Sequence, residues 1–170
     1  MITAFGLYEE ARYTVDPLDS GNGSNMGRVI SISNPAQRRN SFRRTIAEIL
    51  RHLMLKRELD EEAKDMAATV VFALRGIAET IETSTEAWEK RNYYLKADRF
   101  RRQWEWVPLF AARLQNVVVN DRWEQLPREL AMLAPYFQDV KITKLTRAPA
   151  TWQASYRLLK QETLAKAGSR

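Results

Sequence analysis

Residues 59–81 read LDEEAKDMAATVVFALRGIAETI. Leu59, Ala63, Met66, Val70, Ala73, Ile77 and Ile81 recur at three- and four-residue steps, the period of a helix with one face turned inward. Asp60, Glu61 and Glu62 stand in its opening turns, where negative charge complements the positive end of the helix dipole. The middle of the stretch, MAATVVFAL, is apolar nearly all round, and such a helix must be covered on several sides. These residues predict a mainly α protein organised around one central helix.

Upstream, Asn34 suits a helix cap, Pro35 the first helical position and Gln37 a reciprocal bond back to the cap. The spacing predicts a first helix to about Lys56, with Phe42, Ile46, Ile49, Leu50 and Leu53 facing inward. Arg38, Arg39, Arg43, Arg44 and Arg51 fall largely off that stripe. Before it, residues 1–34 hold four of the six glycines. The run DSGNGSN at 19–25 reads as a loop, and 2–8 with 28–33 read as a weak hairpin or an irregular arm.

Downstream, Thr83 and Glu86 form a T-x-x-E pattern that predicts the start of a third helix reaching about Val118. Pro108 interrupts it; a proline inside a helix removes a backbone bond and clashes with the preceding turn, so a kink or break is expected at Val107–Pro108. A short helix from Asp121, another over 127–137, a β-like link over 140–146 and a last basic helix over 149–165 complete the reading. The expected fold is a single mainly α domain, an irregular bundle of four to five helices over 35–170, with a small β-like or irregular arm over 1–34.

Composition narrows the function classes. The 170 residues carry a formal charge of +6 with a pI near 9.7, which favours anionic partners. The charge is sorted: seven cations against one acid over 35–57, two against nine over 58–89, and six against one over 90–103. The chain has no Cys, which excludes disulfides and thiolate metal sites, and His52 is its one histidine. No nucleophile-elbow, P-loop or dinucleotide-binding pattern occurs, so no catalytic residue, metal or cofactor is assigned. Crowded acids at Glu58, Asp60, Glu61, Glu62 and Asp65 read as cap and dipole partners rather than as a metal site. The start lacks a basic-then-apolar leader and no run is long enough to span a bilayer, so a cytoplasmic protein without a membrane span is expected.

The stretch richest in recognition chemistry is 88–106, WEKRNYYLKADRFRRQWEW, with three Trp, two Tyr, one Phe and six cations in nineteen positions. Rings stack on bases and arginine forks grip phosphates, so this interleaving suits a nucleic-acid strand. Helical projection assigns Tyr93, Ala97, Phe100, Trp104, Val107 and Ala111 to a core stripe. Trp88, Leu95, Arg99 and Trp106 fall on a second edge. Trp88, Leu95 and Trp106 are therefore the candidates for stacking or for a subunit interface. Arg38, Arg39, Arg43, Arg44, Arg91, Arg99, Arg101 and Arg102 are the candidates for backbone phosphates. Lys141, Lys144, Arg147, Arg157 and Lys160, with Trp152 and Tyr156, form a third basic set. The expected function is a non-catalytic basic accessory subunit that binds nucleic acid, DNA or RNA, in a larger nucleoprotein assembly. The alternative is a scaffold or adaptor that meets a protein partner, or a second copy of itself, through the aromatic edge.

Overall fold

The structure is a computed structural model, and it describes residues 34–168. The chain runs through α1 (Pro35–Leu55), α2 (Glu61–Glu89), α3 (Tyr94–Gln103), α4 (Trp106–Val119), α5 (Leu126–Leu133) and α6 (Ser155–Ala167). Single 3₁₀ turns lie at Trp123–Gln125, Ala134–Phe137 and Pro149–Thr151, and no strand occurs among the described residues. The fold is mainly α, as the apolar periodicity implies. The expected arm, apart from Asn34, and its hairpin lie outside the described residues.

α2 is the central helix. Every residue from Met66 to Val71 is buried, as are Ala73, Leu74, Gly76 and Ile77. α1 and α4 cover it most extensively, and α3 and α6 close the remaining sides. At 29 residues it is about 43 Å long, so it spans the bundle from end to end. Ile46 and Ile49 of α1, Val107 and Leu114 of α4, Leu133 of α5 and Leu159 of α6 meet it in one continuous core.

Local chemistry fixes the ends. Asn34 Oδ1 accepts from Ala36 N at 2.9 Å, and Pro35 follows the cap. Asp60 caps α2, its Oδ1 accepting from Ala63 N at 2.8 Å. α2 thus begins after Leu59, which is not in the buried stripe but 41% exposed on the connecting turn.

The expected helix over 83–118 is divided differently. The T-x-x-E pattern starts nothing: Thr83 lies inside α2, and its hydroxyl donates to Glu79 O. α2 ends instead at Glu89, where Asn92 adopts φ 62 and Tyr93 N returns to Trp88 O at 2.9 Å. The second break lies at Trp104–Glu105 rather than at Val107–Pro108. Pro108 cannot donate to the carbonyl four residues back, which belongs to Trp104, so the ladder fails there. Pro108 itself then sits in the first turn of α4, where the N–H would have no partner anyway.

Three later expectations also shift. α5 tightens to 3₁₀ geometry at Ala134–Phe137, where Pro135 again lacks a donor. α6 begins at Ser155, not near Pro149, because Ala154 takes the left-handed conformation at φ 64. Asp65 of α2 holds that corner: its oxygens accept from Ala154 N at 3.0 Å and Tyr156 N at 2.9 Å. The link at 140–146 forms no strand. Its backbone is satisfied by side chains instead, with Arg51 Nη1 donating to Ile142 O at 2.6 Å and Glu48 accepting from Thr146 N at 2.7 Å.

Candidate nucleic-acid interface

The turn between α2 and α3 folds α3 back on α2 and makes an open groove of ≈ 610 Å³. Trp88, Tyr93, Tyr94, Leu95, Lys96 and Arg99 line it, with Phe100 as part of its floor. Trp88 meets Phe100 edge-on at 5.1 Å, and Lys96 Nζ lies 4.3 Å from the Trp88 ring centre. Tyr93, Tyr94 and Leu95 are 56%, 60% and 76% exposed, three large side chains in succession. Arg91 and Arg99 are exposed and form no ion pair or side-chain hydrogen bond among the described residues. Rings, an aliphatic side chain and the unneutralised cations Lys96 and Arg99 therefore share one surface, and Arg91 stands on the turn next to Asn92, which also lines it.

The expected aromatic edge is partly assembled. Trp88, Leu95 and Arg99 line the groove together. Trp106 belongs elsewhere: it stacks on Tyr136 at 4.2 Å and 21°, and meets Phe137 at 5.8 Å. The edge projected from one continuous helix spans three, α2, α3 and α4, so the projection fails for its last member. Tyr93, assigned to the core, is exposed at the turn for the same reason. Ala97, Val107 and Ala111 are buried as expected, and Phe100 and Trp104 are half-buried against the core.

The arginines separate into inward and outward groups. Arg101 is held by Glu89 at 2.5 Å and Glu82 at 3.7 Å. Arg102 is exposed and pairs with Asp98 at 2.9 Å. On α1, Arg39 lies over Phe100 at 4.9 Å and Trp104 at 5.5 Å. Burial, then the charge of Arg43, pushes the Arg39 guanidinium below its ordinary value. Arg43 lies over Trp104 at 5.7 Å and donates to Asp139 at 2.6 Å. Arg38 sits beside Glu79, and Arg44 Nε donates to Glu48 at 3.3 Å. Arg39 and Arg43 thus join α1 to the aromatic cluster of α3 and α4. The ridge is not one solvated basic face.

Of the third basic set, Trp152 is a core residue, with its Nε1 donating to Glu62 at 3.2 Å. Lys160 pairs with Asp121 at 2.5 Å. The acids of the first turns of α2 act structurally: Asp60 as cap, Glu62 against Trp152 and Lys56, Asp65 at the α6 corner.

Sequence reasoning missed Tyr94, Lys96 and Gln103 as groove residues. Asn92 carried the signal. Asn is among the few residues that adopt the left-handed conformation readily, and placed between Arg91 and Tyr93 it marks a helix end. No protein-family model matches the chain, and no curated protein or solved structure matches it either.

Proposed function

We propose that this chain is a non-catalytic nucleic-acid-binding protein, an accessory subunit of a larger nucleoprotein assembly, that holds a single strand in the groove between α2 and α3. The carrying observation is the pairing in that groove of exposed rings, Tyr93 and Tyr94 beside Trp88, with the cations Lys96 and Arg99. Bases stack on rings regardless of sequence, and each such contact is worth about 1–3 kcal/mol. Arg91, Arg99 and Lys96 supply the backbone attraction, which releases counterions and makes affinity fall steeply with salt. The net charge of +6 acts in the same direction over longer range.

The test is fluorescence polarisation with labelled mixed-sequence single-stranded DNA and RNA, at low salt and then at rising salt. Tyr94→Ala is expected to weaken binding by about 1–3 kcal/mol. Arg91→Glu with Arg99→Glu should abolish it and flatten the salt dependence. No binding at low salt, or full binding by these variants, overturns the reading. Arg39 and Arg43 are unsuitable for this test because they pack under rings, and reversing them disturbs the bundle itself.

Leu95, 76% exposed in the same groove, supports a second reading, a protein interface or self-association. Light scattering distinguishes it: a defined oligomer dispersed by Leu95→Ala favours the interface. Trp106→Ala does not serve here, since Trp106 packs on Tyr136 and Phe137.

A further inference from the structure

A second groove of ≈ 470 Å³ lies between α1 and the link before α6, lined by Asn40, Ser41, Arg43, Arg44, Asp139 and Arg147. Three guanidinium groups converge on it, and their positioning is stronger than their neutralisation. Arg147 is fixed by neutral oxygens alone: its Nε donates to Thr45 Oγ1 at 3.0 Å, and its terminal nitrogens reach Thr146 Oγ1 at 3.4 Å and Ser41 O at 3.4 Å. No carboxylate pairs with it among the described residues. Arg44 meets Glu48 only through Nε, at 3.3 Å, and its side chain stays 42% exposed. That carboxylate also accepts from Thr146 N, Thr146 Oγ1 and Arg147 N at 2.7–2.8 Å, so its charge is shared among four donors. Asp139 answers Arg43, and its own side chain is 67% exposed at the edge.

We infer that this groove is a phosphate-binding site, taking a tetrahedral phosphoryl oxyanion. A carboxylate has two coplanar oxygens and matches a single guanidinium fork. Forks approaching from two different elements, Arg43 and Arg44 on α1 and Arg147 on the link, need an acceptor whose oxygens point in several directions, and a phosphoryl group has that shape. The phosphoryl group belongs either to a phosphodiester of the strand proposed above or to free phosphate. The two grooves adjoin through packed side chains: Phe100 borders the first, Arg39 and Trp104 follow, and Arg43 borders the second. The site stands or falls apart from the ring groove, because Arg44, Arg147 and Asp139 line this groove and not the other.

The experiment uses the full chain in low-chloride buffer. Inorganic phosphate is titrated by calorimetry, and a labelled oligothymidylate by polarisation, against wild type, Arg44→Gln, Arg147→Gln and Asp139→Asn. Each glutamine variant removes a charge-assisted contact and is expected to weaken binding about tenfold. Asp139→Asn removes the competing acid, frees Arg43 and is expected to tighten binding, a gain that loss of folding cannot imitate. This pattern with inorganic phosphate establishes the site, and the same pattern seen only with the oligonucleotide establishes it with the strand as the source. If no variant changes either ligand's binding, the site is overturned, even where Tyr94→Ala still weakens the strand. Phosphate binding with this pattern but no oligonucleotide binding upholds the site and overturns the strand reading instead.

Discussion

Glu48 is a carboxylate with no exposed surface, and donors from two distant parts of the chain converge on it. Burial alone would push its carboxyl up, but the bonds from Thr146, Arg147 and Arg44 outweigh burial and hold it below the ordinary value of 4.5. A depressed folded pKa means a contribution to stability that is complete above the unfolded value and lost as pH falls through the lower, folded one. Glu48→Gln keeps the shape but turns an amide donor towards backbone donors. It is expected to cost about 3 kcal/mol, read as a fall in Tm of roughly 6–12 °C for a chain of this size. The gap between wild type and variant should be steady from neutral pH to about pH 5 and shrink in more acid buffer. Gly76 shows a different constraint. A Cβ there would lie 2.5 Å from Phe42 Cζ, so the glycine is the space into which that ring packs. Gly76→Ala should destabilise despite a helix-propensity gain of about 1 kcal/mol, and in a Phe42→Ala background the same change should stabilise. Thermal melts of the four proteins check the sign reversal. Neither role is legible in the sequence: Glu48 stands there only as the one acid over 35–57, and nothing beside Gly76 in the chain tells which ring lies opposite it. Both depend on what lies across the interface.

The helices repeat that lesson at their boundaries. The inward stripes of α1 and α2 were legible because burial on one face imposes a period on the sequence, and Ile46, Ile49, Met66, Val70 and Ile77 fall where that period puts them. The ends were less legible because caps compete. Thr83 and Glu86 make a sound start signal, yet α2 continues through them, since Ile81 and Thr85 are buried there and Asn92 offers a better stop. That displacement moved Tyr93 out of the core, and the further break at Trp104–Glu105 moved Trp106 out of the expected edge. The start of α6 is decided by a residue far away in the chain. Asp65 accepts from Ala154 N and Tyr156 N, doing for α6 what an N-cap normally does from within. Asp65→Ala is expected to cost about 1–2 kcal/mol. Hydrogen exchange should speed up first in the opening turn of α6, while the middle of α2 stays protected. Uniform acceleration throughout would mean that the corner is not held separately.

Across the whole molecule, the sorted charge resolves into two patterns. Acids of α2 take part of the basic load, with Arg101 on Glu82 and Glu89 and Arg38 beside Glu79. Lys96 and Arg99 line one groove and Arg43, Arg44 and Arg147 the other, and the two adjoin through Phe100, Arg39, Trp104 and Arg43. Sequence blocks revealed the sorting but not which cations are already occupied, because occupation depends on helix packing. Among the described residues no helix is long and apolar enough to cross a membrane. Trp88 lies in the wall of the ring groove, whereas Trp152 is 3% exposed in the core beside His52. The chain therefore carries an emitter at the place where a base would stack and another shielded from it. If the groove takes a strand as proposed, indole fluorescence, without any attached dye, is expected to report its occupancy as selective quenching of the solvent-facing population.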